Sequence, residues 1–325
     1  MRITFTAGAM IVLAGAPIDV RAQDAALRVV STVAAVHENS DSSRIIDVAV
    51  GSDGRIAVLF GDQTMKVWGA SGDSLVIGGQ GAQPGSLVQA VALTYGPHNR
   101  LYVFDRRLNA VSIFDAQGAF QQRASVPLSL AGVRDIAIDD NGGALLVGYA
   151  EDYSTTPIHA FCPRIDCYEG SFGSPRATRD SVAFEYFQAG HVAVNSTTVF
   201  LGHVNPFWIE AIDRKDHRTN TFANTKELED AESIAFSRVG NRMTMSTRYP
   251  QITGLVLDGS GNLLISAFIP GRTGSFIALY DMDGKRQWRV TDPGFLAIKG
   301  QTPSGELVVL RQFGPQEVNR YRVAH

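Results

Sequence analysis

The chain has 325 residues, of which 45% are hydrophobic and 19% charged, with 32 Gly and a formal net charge of −3. This balance suits a turn-rich, folded chain rather than a disordered one. It offers no basic surplus with which to hold a phosphate backbone, so nucleic acid is not an expected partner.

The first residues read as a leader. Arg2 precedes an apolar stretch from Ile3 to Ala16, and a short polar region then ends in Val20-Arg21-Ala22, a small-x-small cleavage pattern before Gln23. A short membrane anchor is the competing reading, but the stretch is brief for a span and no stop-transfer pattern follows. No cysteine lies beside the cleavage point to carry a lipid. The expectation is a signal peptide over residues 1–22 and one exported domain over residues 23–325, periplasmic or secreted, with no stable membrane anchor. The first apolar run of that domain, Leu27 to Val33, has no neighbouring partner in sequence.

Next comes Val48-Ala49-Val50, the first of six related triplets. It returns as Val91-Ala92-Leu93, Ile136-Ala137-Ile138, Val192-Ala193-Val194, Leu255-Val256-Leu257 and Leu296-Ala297-Ile298. The spacing, roughly 41 to 63 residues, is in the range of propeller blades. After a triplet comes a turn-rich run such as Gly51-Ser52-Asp53-Gly54 or Asp258-Gly259-Ser260-Gly261, and then a second apolar run. Such short runs joined by Asp, Asn and Gly are strand, tight turn, strand. A further turn lies about half a blade later, at Asp115-Ala116-Gln117-Gly118 and Asp281-Met282-Asp283-Gly284, so each repeat is a four-stranded antiparallel meander. A lone sheet of this kind leaves apolar side chains on both faces uncovered, and copies must stack around an axis. The predicted fold is all-β, a six-bladed β-propeller.

In the third repeat Cys162 and Cys167 flank Pro163-Arg164-Ile165-Asp166, where other repeats carry their second hairpin turn. In an oxidising compartment these two are expected to form a disulfide. The alternative, a metal held with His159, supplies three ligands and no fourth nearby. Two long connections follow, from about residue 173 to 188 and from residue 224 to 250. In the second, Asn224 or Thr225 can cap a helix with Glu227, Glu229 and Asp230 in its first turn, and Leu228, Ala231, Ala235, Val239 and Met243 share one face. This predicts one helical insertion before blade five, laid over the channel mouth as a partial lid. The rival reading makes Ile234-Ala235-Phe236 and Met243-Thr244-Met245 the first strands of a seventh blade. The sixth copy has room for three strands before the chain ends, so the run from Leu27 to Val33 is expected to close the ring by pairing with Glu317 to Ala324 and leave no open edge.

The run from Gly78 to Phe120 carries a Gly-rich linker, the triplet Val91-Ala92-Leu93, then Tyr102-Val103-Phe104-Asp105 and Phe114-Asp115-Ala116-Gln117-Gly118. It resembles an NHL repeat. Phe295 to Arg322, with Tyr249 to Ser266, is similar to exported bacterial six-bladed propellers of the NHL-like group, which have no assigned activity. The resemblance implies the fold rather than a chemistry, because propellers host binding modules, lyases and lactonases alike.

No Gly-x-Ser-x-Gly, His-Glu-x-x-His or P-loop occurs, and the Asp/Gly runs lack the closing carboxylate of a calcium loop. The residues just before the triplets are Asp47, Ala90, Asp135, His191, Gly254 and Phe295. In a propeller these ring one mouth of the central channel, which makes Asp47, Asp135 and His191 binding candidates. Propellers that resemble gluconolactonases or amidating lyases hold a divalent metal near this place, and the three ligand types suit one. The bland alternative is that the Asp side chains accept backbone hydrogen bonds from the adjoining blade. No cofactor is predicted. Loops on the same face present Arg106, Arg107, residues 149–153 beginning with Tyr149, His203, Asn205, Phe207, Trp208, Arg272, Arg311 and Phe313, the residue types of recognition surfaces, although Trp208 also suits packing between blades. Asn195-Ser196-Thr197 reads as a turn, or as a glycosylation sequon in a eukaryotic source. The reading is an exported binding or scaffold module that takes a protein, peptide or small molecule through its loop face. The alternative is a metal-dependent hydrolase or lyase, lactonase-like or amidating-lyase-like, working at the channel mouth.

Overall fold

The computed structural model describes residues 23–36, 41–150, 156–174, 190–203, 208–222, 235–239, 242–246, 251–269, 274–292, 294–312 and 315–324. Six four-stranded blades follow one another, each running from an inner to an outer strand. Blade one is Ile45–Val50, Ile56–Phe60, Thr64–Trp68 and Ser74–Gly78; blade two is Ala90–Tyr95, Leu101–Asp105, Ala110–Phe114 and Phe120–Ser125. Blade three is Leu130–Ile138, Ala144–Ala150, Ile158–Phe161 and Tyr168–Phe172; blade four is Gly190–Val194, Thr198–His203, Trp208–Asp213 and Thr219–Thr221. Blade five is Gln251–Leu257, Leu263–Phe268, Ser275–Tyr280 and Arg286–Asp292. All six triplets lie in innermost strands.

Blade six is built from both ends of the chain. Leu296–Gln301, Leu307–Arg311 and Gln316–Ala324 supply three strands, and Ala26–Val36 pairs antiparallel with the last of them, from Ala26 opposite Ala324 to Val36 opposite Gln316. The closing strand is thus longer than the run from Leu27 to Val33, and two register shifts, at Val29/Ser31 and Thr32/Ala34, let it follow the twist of its partner. Just before it, Gln23–Asp24 adds a short parallel strand beside Trp288 and Arg289 of blade five. The N-terminal segment therefore ties the last two blades together.

The core is divided among the blade interfaces. Val48, Val58, Val308 and Leu310 join blades six and one, Leu59, Met65, Leu93 and Phe114 join one and two, and Phe104, Val111, Ile136 and Leu146 join two and three. Val147, Ile158, Val192 and Leu201 join three and four, Phe200, Ile209, Leu255 and Ile265 join four and five, and Ile277, Val290, Ile298 and Val309 join five and six. Each buried aliphatic or aromatic side chain contributes roughly 1.5–3 kcal/mol relative to exposure, so the blades are stable only as a stack. Inner strands approach closely toward the axis. A Cβ on Gly254 would lie 2.2 Å from the carbonyl oxygen of Ile298 in the next blade, which is why that position carries no side chain.

The helical insertion is corrected by the structure. Ala235–Val239 and Arg242–Ser246 form an antiparallel hairpin with Ala235 opposite Ser246, so Ala235, Val239 and Met243 lie in strands. Gly240-Asn241 between two short runs is a two-residue hairpin signal, and it prevails over helical spacing. Among the described residues the hairpin is a two-stranded sheet of its own, outside the six blades. The helix start at residues 224–230 and the connection at residues 175–188 lie outside the described residues.

Candidate functional site

A cavity of about 640 Å³ runs along the axis. Its wall contains Asp47, Asp135 and His191 from the early parts of the inner strands, Lys299 from blade six, and Gly51, Gly96, Gly259 and Pro303 from the turns that end those strands. It therefore reaches the face bearing the turns between first and second strands, opposite the face of the second-to-third-strand loops.

Two polar pairs occupy its wall. Lys299 Nζ donates to Asp47 Oδ1 at 2.6 Å, while Asp47 Oδ2 accepts the backbone N–H of Leu93 in blade two at 3.0 Å. His191 Nδ1 lies 3.2 Å from Asp135 Oδ2, which also accepts Val192 N from blade four at 3.0 Å; Asp135 Oδ1 accepts Ile136 N at 2.9 Å. Each carboxylate thus binds the inner strand of the following blade, as a buried acceptor must find donors. Burial acts to lower the Lys299 pKa, but the charge and hydrogen bond of Asp47 and the charge of Asp135 outweigh it and hold the ammonium above its ordinary value. Tyr95 also lines the cavity, and its hydroxyl is held neutral because burial raises its pKa.

The residue before each triplet does not disclose Lys299. It directly follows the sixth triplet, where the other copies have Gly51, Thr94, Asp139, Asn195 and Asp258. A register shift between Ile298 and Gly300 interrupts the alternation there, and a lone basic residue directly after a triplet was the available signal.

A divalent metal needs several ligand atoms converging on one point. Among the described residues the grouping of ligand atoms within 4.8 Å of one another is Cys162, Asp166 and Cys167, and its two sulfurs are bonded to each other as the disulfide. Asp47, Asp135 and His191 do not form such a grouping, and the Lys299 ammonium takes the position at Asp47 where a cation would bind. As placed, these residues pair with one another and with the adjoining backbone.

The other candidates scatter. Arg106 and Arg107 are exposed on the opposite face. Tyr149 is half-buried, with its ring against Gly132, whose φ of +62° keeps the chain clear of it. Arg311 Nη2 pairs with Asp292 Oδ1 at 3.1 Å. His203 is no loop residue: it ends a strand, is 2% exposed, stacks on Trp208 at 4.6 Å between ring centroids and lies 3.7 Å from buried Glu210. Asn205, Phe207, Arg272, Phe313 and residues 151–153 lie outside the described residues. The Cys162–Cys167 bridge spans Cα atoms 5.6 Å apart and closes the predicted hairpin turn. Inside that turn Ile165 is fully buried at φ +67°, a left-handed conformation that a β-branched residue adopts only under constraint.

Six antiparallel blades around a polar axial cavity define the molecule as a six-bladed β-propeller. The same fold occurs in a protein described as exported from Bacteroides fragilis, with 12% identity, coverage of 92% of this chain and 96% of that one, and a TM-score of 0.59. It occurs also in a calcium-binding protein, regucalcin, from Agrobacterium tumefaciens (12% identity, 89% and 95% covered, TM-score 0.54) and in a gluconolactonase from Xanthomonas campestris (14%, 93% and 91%, 0.54). No protein-family model matches the chain, and no curated protein matches it. Among the described residues no helix is long and apolar enough to cross a membrane.

Proposed function

We propose that this protein is an exported binding propeller that holds a small polar ligand, a hydroxy acid or a related sugar derivative, in the axial cavity. The carrying observation is a division of hydrogen-bonding capacity. All four carboxylate oxygens of Asp47 and Asp135 accept hydrogen bonds, whereas Lys299 spends one N–H on Asp47 and keeps the others for the cavity. His191 turns Nδ1 toward Asp135, which leaves its Nε2 for a ligand in the cavity. A molecule with a carboxylate or carbonyl oxygen for Lys299 and a hydroxyl for His191 fits that pairing, and the fold shared with a gluconolactonase is consistent with it. Export is supported by the disulfide, by the leader pattern and by the likeness to a protein described as exported.

The test is calorimetric titration of the mature protein with D-gluconate, beside Lys299→Gln and His191→Gln. Saturable 1:1 binding, weakened about tenfold or more in each folded variant, is expected. Absence of binding, or equal binding by the variants, refutes the reading. The metal-dependent hydrolase or lyase returns if the mature protein retains one equivalent of a divalent ion through dialysis.

A further inference from the structure

On the face away from the turns, a groove of about 740 Å³ lies between blades one and two. Arg44, Arg106 and Arg107 line it, with Gln80 and Gln89. All three arginines are exposed, and among the described residues none of them forms an ion pair; Asp41, also on the groove, stays beyond that range. On a chain of net charge −3 this is a local concentration of unneutralised guanidinium.

The arginines are held in place by the backbone. Buried Asp105 accepts hydrogen bonds from Val88 N at 2.6 Å, Gln89 N at 3.1 Å and Leu108 N at 3.0 Å, which pins the loop carrying Arg106 and Arg107. The carbonyl of Arg44 accepts Gly61 N at 2.8 Å. The groove does not end there. A second hollow of about 290 Å³ shares Arg44 and Ile46 and continues to Phe295, Gln312 and Gln316 of blade six. The combined trough crosses three blades and is far longer than one inorganic anion fills.

We infer that this trough binds an acidic polysaccharide, its uronate carboxylates on Arg44, Arg106 and Arg107 and its hydroxyls on Gln80 and Gln89. Guanidinium forks match carboxylates in bidentate fashion, and side-chain amides both donate to and accept from hydroxyls. The site is separate from the axial cavity and does not depend on the ligand there.

Polygalacturonate is the probe, measured by biolayer interferometry on the mature protein, with dextran and poly-L-glutamate alongside. Binding that weakens as salt rises is expected, with no response to dextran and a loss of tenfold or more in the Arg44→Gln, Arg106→Gln, Arg107→Gln triple variant. Because the three side chains are exposed, that variant should keep the wild-type melting temperature. No binding of polygalacturonate, undiminished binding by the triple variant, or tighter binding of poly-L-glutamate than of polygalacturonate would overturn the inference.

Discussion

Lys299 is the residue on which the axial cavity turns. It and Asp47 are largely buried, with side chains 15% and 9% exposed, and removing one partner of such a pair strands the other charge. Lys299→Met should therefore destabilise the fold by about 3 kcal/mol, while Lys299→Met with Asp47→Asn should recover much of the loss; urea denaturation of the single and double variants measures both. A second buried group sets an acid limit. Burial pushes the Glu210 carboxyl up, but the neighbouring His203 ring and a hydrogen bond from the Ser174 amide at 3.1 Å outweigh it and leave its pKa below the ordinary value. A depressed carboxyl contributes stability that is complete above the unfolded pKa, about 4.3, and is lost as pH falls from there through the native value. Glu210→Gln should accordingly flatten the fall in stability as the pH drops below the ordinary carboxylate range, and an unchanged slope would assign the acid limb to other groups. Of these residues Asp47, Asp135 and His191 were legible as pre-triplet positions. His203 was misplaced onto a loop because hydropathy does not mark where a strand ends, and Lys299 stood four positions from where the repeat directed attention.

At the scale of elements, the strands that repeat were readable and those that do not were not. The small-apolar triplets mark the inner strands because those strands meet at the axis, where Ala49, Ala92, Ala137, Ala193 and Ala297 keep the side chains small. The closing strand was readable from counting: a last copy with three strands needs a fourth. Its pairing with Gln316–Ala324 leads to a direct expectation. Deleting residues 23–34 should open blade six, expose the edge at Val318 and Tyr321, and cause aggregation or a markedly lower melting temperature in circular dichroism. An unaltered melting curve would mean that closure contributes nothing. The hairpin of Ala235–Val239 and Arg242–Ser246 was misread as helix, since five apolar residues at helical spacing outweighed the Gly-Asn signal in the sequence between two short runs. The parallel pairing of Gln23–Asp24 with blade five has no sequence signature, because two residues carry no periodicity.

For the whole molecule, stacking six blades has two consequences. The core is spread over the interfaces, so the axis need not be filled with apolar side chains and can hold polar pairs in a cavity. The ring also has two unlike faces, one reached by that cavity and one carrying the arginine trough. The central claim is that a ligand sits against His191 and Lys299. Imidazole nitrogen resonances of the mature protein, prepared with nitrogen-labelled histidine and titrated with D-gluconate, test it most directly. The account predicts that the Nε2 resonance of His191 shifts saturably while that of buried His203 stays fixed, and that the shift disappears in Lys299→Gln. A His191 resonance that does not move while other histidines respond would contradict it.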